Sequence, residues 1–345
     1  MHVDEHTAVR PPLLRTANHK TCMASVATFG LRDRATAVLH WLLCVLEWPG
    51  SCKEETMGVS EQRQRCREVL EGGECVHPAS VFDPISGRIA QDLGFRIGMF
   101  AGSIASATVL GAPDLVVLTL SEFSDQVRRI LRAADIPLMV DADHGYGNAL
   151  SVMRTVQELE HAGISGMTIE DTQLPPPYGQ PGESLISQDE MLGKLKGALD
   201  ARQDSSMAIF GRTSGLRIVG VEETARRVKA YSEAGVDGIF LSGLRSPEEL
   251  AAIREATSLP LLLGGSPPSL GSTADLAAQG VRIALQGHMP FQAAVRAVYE
   301  TLKHLKDGGS PADLGDRIAS PDMIAQFTRQ ADYDGWRNDY LGGAG

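Results

Sequence analysis

Two aspartates separated by one residue are the first candidates for chemistry. Asp141 and Asp143 lie in VDADHGYGN, directly after the proline-led apolar run PLMV. In an extended strand, residues two apart point to the same side, so both carboxylates would face one direction. Such oxygens suit Mg²⁺, which takes one or two carboxylates and completes its coordination with water and substrate. The alternatives are that Asp143 caps a helix beginning near Ala149 or Leu150, or that the pair faces water.

A second acidic pair, Glu170 and Asp171, ends the next apolar run, GMTI. Two adjacent strands that deliver paired carboxylates to the same edge of a sheet would repel each other strongly without a cation. We therefore expect all four carboxylates at one edge, and the two pairs together favour a metal site over a helix cap.

Other polar residues follow further apolar runs. Arg212 in IFGRT could hold a carboxylate through two hydrogen bonds, or it could pair with the acidic residues themselves. The segment GSIAS (102–106) offers small residues and amide N–H groups to an anion, although tight helix packing favours the same residue types. His288 follows the last run, where a functional role is favoured over a structural one. For His144 and Asp83, a functional role and a local turn role both stay open.

These residues would lie close together only in a fold that brings the C-terminal ends of its strands to one edge. Short apolar runs recur between amphipathic stretches: ASVFDP, RIGMFAGS, LMVDAD, GMTIED, MAIFGRT, GIFLSG, LLLGGS and RIALQG. Eight such alternations predict an α/β fold of the (β/α)8 TIM barrel type, in which active sites lie at the C-terminal strand ends. A doubly wound open sheet is the alternative, but the sequence has no GxGxxG loop. The glycines at 94, 163, 235 and 280 are expected to end helices in the left-handed conformation.

Composition narrows the functional class. The formal net charge of −11 over 345 residues disfavours binding to nucleic acid or to anionic membranes. All five cysteines fall in the first 75 residues, without a CxxC pair, which argues against a disulfide scaffold and fits a reducing cytoplasm. The apolar run at 37–48 is too short to span a bilayer. These features predict a cytoplasmic enzyme with a small-molecule substrate.

The chain divides into three parts by pattern. Residues 1–56 lack the periodicity of the rest of the chain, and we expect them to be an N-terminal extension outside the fold. Residues 57–308 would form the catalytic barrel. Residues 309–345 would form a linker and a helical tail.

Several of these motifs together resemble a known family. ASVFDPISGRIAQDLGF, GSIASA, DADHGYGN and TIEDT are similar to segments of the isocitrate lyase/phosphoenolpyruvate mutase superfamily, and most closely to its oxaloacetate decarboxylase branch. The resemblance runs from about residue 58 to about residue 305. It implies Mg²⁺-dependent decarboxylation of oxaloacetate to pyruvate and CO₂ through an enolate, with Mn²⁺ as a substitute cation. The alternatives are another lyase or phosphonate reaction of the superfamily, or a catalytically weak barrel that binds keto acids.

The resemblance also implies roles for individual residues. Asp141 would bind Mg²⁺ directly, whereas Asp143 and Glu170 would act largely through bound waters. Arg212 and His288 would be catalytic. The substrate-binding residues would be Gly102, Ser103, Arg212 and His288.

The family resemblance further implies a homo-oligomer, a dimer or a tetramer, in which a C-terminal helix is exchanged between barrels. SPDMIAQF (320–327) is the candidate segment. Three features depart from the family pattern. The segment 172–185 has no cysteine, which argues against isocitrate-type cleavage. Ser214 replaces an expected asparagine, and LLLGGSPPSL differs from the expected seventh strand end, so both features affect substrate choice.

Overall fold

The computed structural model describes residues 58–180 and 182–342. The predicted N-terminal extension, residues 1–56, lies outside the described residues. The part of the chain that resembles the superfamily begins with the first described helix. Its strands and helices then alternate as the sequence predicts.

Eight parallel strands pair in sequence order to form one sheet. The strands are β1 (Ala79–Ser80), β2 (Gly98–Phe100), β3 (Leu138–Asp141), β4 (Gly166–Glu170), β5 (Ala208–Thr213), β6 (Gly238–Leu241), β7 (Leu261–Leu263) and β8 (Val281–Ala284). The sheet closes on itself just before β1, where the Val76 amide donates to the Arg282 carbonyl at 2.9 Å and the Ala284 amide donates to the Val76 carbonyl at 3.0 Å. The prediction of a (β/α)8 TIM barrel is confirmed.

Helices separate the strands. They are α1 (Val59–Glu71), α2 (Pro84–Asp92), α3 (Gly102–Ala105), α4 (Leu120–Ala133), α5 (Ala149–Ala162), α6 (Gln188–Ala201), α7 (Gly215–Ile218), α8 (Val221–Glu233), α9 (Pro247–Ala256), α10 (Thr273–Ala278), α11 (Met289–Lys306), α12 (Pro321–Thr328) and α13 (Gln330–Leu341). A π-helical turn, Ser106–Leu110, follows α3. The four glycines predicted to end helices have φ between 77° and 98°, as expected of left-handed caps.

Two apolar layers hold the barrel together. Inside it, Met139, Phe210 and Phe240 pack with Cys66 and Val69 of α1. A larger layer of buried side chains fills the space between the strands and the surrounding helices. Strands that are covered on both faces read as continuous apolar runs, which is why their positions could be predicted from the sequence.

The C-terminal helices differ from one another in how they pack. In α12, the helix that contains the SPDMIAQF segment, the Phe327 carbonyl accepts a hydrogen bond from Arg88 of α2 at 3.0 Å. Gln326 of α12 donates to Asp92 of α2 at 3.1 Å. Neither α11 nor α12 has a buried residue, but α11 has more exposed apolar side chains than α12. Among the described residues, none of the helices combines the length and apolar character needed to cross a membrane.

Candidate active site

A cavity of about 270 Å³ opens at the C-terminal ends of the strands. Six of the seven predicted site residues line it: Ser103, Asp141, Asp143, Glu170, Arg212 and His288. The seventh, Gly102, lies directly behind Asp143. Parallel strands deliver their C-terminal residues to one rim, and for this reason side chains far apart in sequence meet here.

Asp141 and Glu170 form the buried side of the cavity. Thr168 donates to Asp141 Oδ1 at 2.7 Å, and Thr172 donates to Glu170 Oε2 at 2.7 Å. Both threonines are buried, so each fixes the orientation of one carboxylate. The remaining oxygen of Asp141 pairs with Arg212, whose Nη2 also lies 3.4 Å from Glu170 Oε2.

Asp143 reaches the cavity from a loop rather than from a strand. β3 ends at Asp141, and Asp143 adopts a left-handed backbone with φ of 48°. A side chain on Gly102 would place its Cβ 2.3 Å from Asp143 Oδ1, so glycine is required there to make room for the carboxylate. Burial raises the pKa of Asp143 well above its usual value, and the nearby charges of Asp141 and Glu170 raise it further. Burial also raises the pKa of Glu170.

Arg212 is the cation that faces these acids. The alternative interpretation of its role, an ion pair with the acidic residues, describes its contacts in this structure. Its guanidinium carbon lies 5.1 Å from the centre of the Phe240 ring, close enough for a cation–π contact. Its Nε atom is buried and has no hydrogen-bond partner among the described residues. The guanidinium therefore has one donor that no described protein group satisfies.

His288 lies at the start of α11, across the cavity from the acids. Its Nδ1 atom is 3.0 Å from the Ser80 hydroxyl at the end of β1. Burial lowers the pKa of His288 below its ordinary value, although the charges of Asp141 and Asp114 partly oppose the shift. With Nδ1 engaged by Ser80, Nε2 is the ring nitrogen that can contact a ligand.

Asp114 and Val116 are among the cavity-lining residues that sequence reasoning missed. Both lie in the loop that follows the π-helical turn, away from any strand end. Burial raises the pKa of Asp114, and the charge of Asp141 contributes to the shift. Val116 has φ of 57°, a conformation that β-branched residues rarely adopt and that concentrates at functional sites. The one feature of the sequence that could have indicated a role for Asp114 is its position as the lone charged residue in the otherwise apolar segment GAPDLVVL.

This geometry agrees with a comparison against protein families. Residues 67–306 match the family described as phosphoenolpyruvate phosphomutase. The chain belongs to the phosphoenolpyruvate phosphomutase family. The superfamily resemblance inferred from the motifs is thereby confirmed.

Relatives within and around this family cover most of the chain. An oxaloacetate decarboxylase from Bradyrhizobium diazoefficiens is 49% identical over 286 residues, which is 83% of this chain and 99% of the relative. The structure of a phosphonopyruvate hydrolase with oxalate and Mg²⁺ has a TM-score of 0.72 and 29% identity, covering 81% of this chain and 99% of that one. An oxaloacetate acetylhydrolase bound to 3,3-difluorooxalacetate has a TM-score of 0.72 and 30% identity, covering 83% and 98%.

Three expectations about local roles are settled by the structure of this family member. Asp171 does not join the other acids at the rim, because it points to the opposite side of the sheet from Glu170 and is fully buried. Asp143 does not cap α5, since the side chain of Asn148 provides that cap. Asp83 caps α2 by accepting from the Ser86 amide at 2.7 Å, so its local turn role is the correct one.

His144 also has a local role in this phosphomutase-family barrel. It is buried and is not among the residues that line the cavity. Burial lowers the pKa of its imidazole to about 4, and the nearby charge of Lys194 contributes to the shift. The ring therefore contributes no charge to the site.

The acidic residues fit a hard divalent cation. Their oxygens are the ligand type that Mg²⁺ prefers. The pKa of Asp143 is raised by burial first and then by repulsion from Asp141 and Glu170, and a cation would relieve that repulsion. Among the described residues, no three His, Cys, Asp or Glu side chains are placed so that they could hold a metal ion together. A Mg²⁺ site needs only one or two carboxylates directly, with water and substrate completing the coordination.

Proposed function

We propose that this protein decarboxylates oxaloacetate to pyruvate and CO₂ with Mg²⁺, for which Mn²⁺ can substitute. The observation that carries the proposal is that Asp141, Asp143 and Glu170 line a single cavity together with Arg212 and His288. The 49% identity to an oxaloacetate decarboxylase over nearly its full length supports the choice of reaction. Asp141, Asp143 and Glu170 would hold the cation, which supplies Lewis-acid stabilisation of developing negative charge when bound.

The chain's own residues bind the two ends of the substrate. Gly102 and Ser103 open α3, where the amide N–H groups of the first turn have no partner within the helix and favour a carboxylate. Arg212 donates to substrate oxygens from the opposite side. Neither group needs to form a covalent bond, and no lysine lines the cavity in the described part of the chain.

The reaction breaks the C3–C4 bond of oxaloacetate. The electron pair of that bond moves into the C2–C3 enolate as CO₂ leaves, and a proton added at C3 then gives pyruvate. Arg212 donors stabilise the enolate charge. His288 Nε2 either orients the departing carboxylate or returns the proton to C3, and its contact with Ser80 fixes the ring in both cases.

The segment after β4 contributes Thr172, Leu174 and Glu183 to the cavity lining. Its two ends pair where Thr172 and Leu185 form an antiparallel bridge. Glu183 and Arg217, which both line the cavity, form an ion pair at 2.7 Å. The segment has no cysteine, so it lacks the catalytic residue that isocitrate-type cleavage would use.

The proposal predicts cation-dependent pyruvate release. With oxaloacetate and Mg²⁺, pyruvate measured by coupling to lactate dehydrogenase should form well above the rate in the same buffer without protein. EDTA should abolish the enzymatic part, and Mg²⁺ or Mn²⁺ should restore it. Phosphate release from phosphonopyruvate, or no pyruvate above the protein-free rate, would reject the proposal.

We also propose that the protein is a homo-oligomer in which a partner covers α11. Four apolar side chains at helical spacing are half or more exposed on this helix: Val295, Val298, Tyr299 and Leu302. A helix whose apolar stripe faces water gains stability when that stripe is buried. The α12 segment hydrogen-bonds to α2 of its own barrel, and α11 has more exposed apolar side chains, so α11 is the better candidate for the contact between subunits.

Light scattering on eluted protein should give two or four times the chain mass of 36.9 kDa. The double substitution Val298→Glu with Leu302→Glu should shift the mass toward the monomer, because two charges cannot be buried unpaired in an apolar contact. Arg296→Glu on the same helix is the control and should leave the mass unchanged. Wild-type protein that elutes as a monomer would exclude this assembly.

A further inference from the structure

The loop that carries Asp143 is held through its carbonyl groups. Four consecutive carbonyls, from residue 142 to 145, each accept a hydrogen bond. The Ala142 carbonyl accepts from the Gly145 amide at 2.8 Å, and the Asp143 carbonyl accepts from the Glu170 amide at 2.8 Å. The His144 carbonyl accepts from Lys194 Nζ at 3.0 Å, and the Gly145 carbonyl accepts from Thr155 Oγ1 at 3.0 Å.

The loop needs such support because its backbone is strained. Asp143 and Tyr146 both have left-handed φ values, 48° and 60°, which cost free energy in residues other than glycine. Two buried polar atoms of its side chains, His144 Nδ1 and the Tyr146 hydroxyl, have no hydrogen-bond partner among the described residues. Its conformation therefore depends on the donors that reach its carbonyls.

Lys194 supplies one of those donors although burying its charged ammonium group is unfavourable. The side chain is buried on α6, and its contact with His144 is its one hydrogen bond within the described residues. An unpaired buried ammonium costs several kcal/mol, so an apolar residue of similar length would favour stability alone. Burial lowers the pKa of Lys194, and the charges of Glu190 on the same helix and of Glu170 at the site partly oppose the shift.

We propose that Lys194 and Thr155 are positioning residues that fix the 142–145 loop, so that Asp143 is held ready for the cation of the proposed function. Lys194 acts from α6 and Thr155 from α5, and neither lines the cavity. Outer groups that orient metal ligands typically contribute 10–100-fold to metal affinity. Loss of either donor should therefore weaken cation binding without removing a ligand.

The test measures Mn²⁺ binding directly, by the electron paramagnetic resonance signal of the free ion. Lys194→Met and Thr155→Val should each raise the Mn²⁺ dissociation constant by about 10–100-fold. Thr257→Val is the matched control, because Thr257 is also buried and hydrogen-bonded but lies far from the cavity, at the start of the turn into β7. It should leave the constant unchanged even if it lowers the unfolding temperature.

The outcomes separate this inference from the proposed function. Mn²⁺ constants that stay within about twofold of wild type in both variants would overturn the positioning role, whatever their decarboxylase activity. If Lys194→Met does not fold, Thr155→Val carries the same comparison. Wild-type protein that binds no Mn²⁺ would refute the cation site and this inference with it, whereas binding without pyruvate release would reject only the proposed reaction.

Discussion

Asp141→Asn is expected to lower cation-dependent pyruvate formation by at least about 100-fold, more than loss of an outer group would. Asparagine keeps the size of the side chain and the oxygen that accepts from Thr168, but it removes the negative charge. It also removes the charged partner of Arg212. The rate at saturating Mg²⁺, measured by the coupled pyruvate assay, is the readout.

Asp125→Asn provides the control for this substitution. Asp125 lies on α4, exposed and paired with Arg128 at 2.8 Å, and it does not line the cavity. Its removal should leave the rate near wild type. If Asp141→Asn retained more than a tenth of wild-type activity at saturating Mg²⁺, Asp141 would not be the main ligand.

Asp171→Ala is expected to lower the free energy of unfolding by about 3–5 kcal/mol, the range for breaking a buried ion pair. One carboxylate oxygen of Asp171 accepts from Tyr231 at 2.7 Å, from Thr213 at 2.9 Å and from Arg227 at 3.2 Å. All four side chains are buried, so alanine would leave a guanidinium and two hydroxyl groups without this acceptor. The midpoint and slope of urea unfolding, followed by circular dichroism, measure the change.

Two comparisons make this result informative. Asp171→Asn keeps an acceptor oxygen and should cost less than alanine, because only the charge is lost. Glu61→Ala breaks an exposed pair with Arg65 at 3.0 Å and should have little effect, as surface pairs usually do. A loss below about 1 kcal/mol for Asp171→Ala would show that the network does not stabilise the barrel.

The barrel and most of the rim could be predicted from the sequence because both depend on local patterns. Strands buried on both faces appear as short apolar runs, and prolines at 137 and 260 precede β3 and β7 as expected of strand starts. Asp141, Glu170 and Arg212 stand at or next to the ends of those runs. Once the runs are known to be parallel strands, their last residues must meet at one edge.

The errors came from residues whose role depends on neighbours distant in sequence. Glu170 and Asp171 were expected at one rim, although adjacent residues of a strand point to opposite faces, so the alternation itself contained the correction. Asp114 lies in a loop, and no periodic pattern marks where a loop will fold over a cavity. Lys194 reaches the loop that carries Asp143 because α6 packs against α5. The spacing of residues along a single sequence does not indicate that packing.

The pairing of Arg212 with Asp141 and Glu170 has a thermodynamic consequence. These two carboxylates already have a counter-ion that belongs to the chain. A divalent ion that binds there must displace the guanidinium from the two carboxylates. Its apparent binding free energy is therefore its own interaction with the carboxylates minus the interaction that the guanidinium loses. The same displacement frees the arginine for an anion, so binding of metal and of keto acid should be cooperative, each strengthening the other by the same factor.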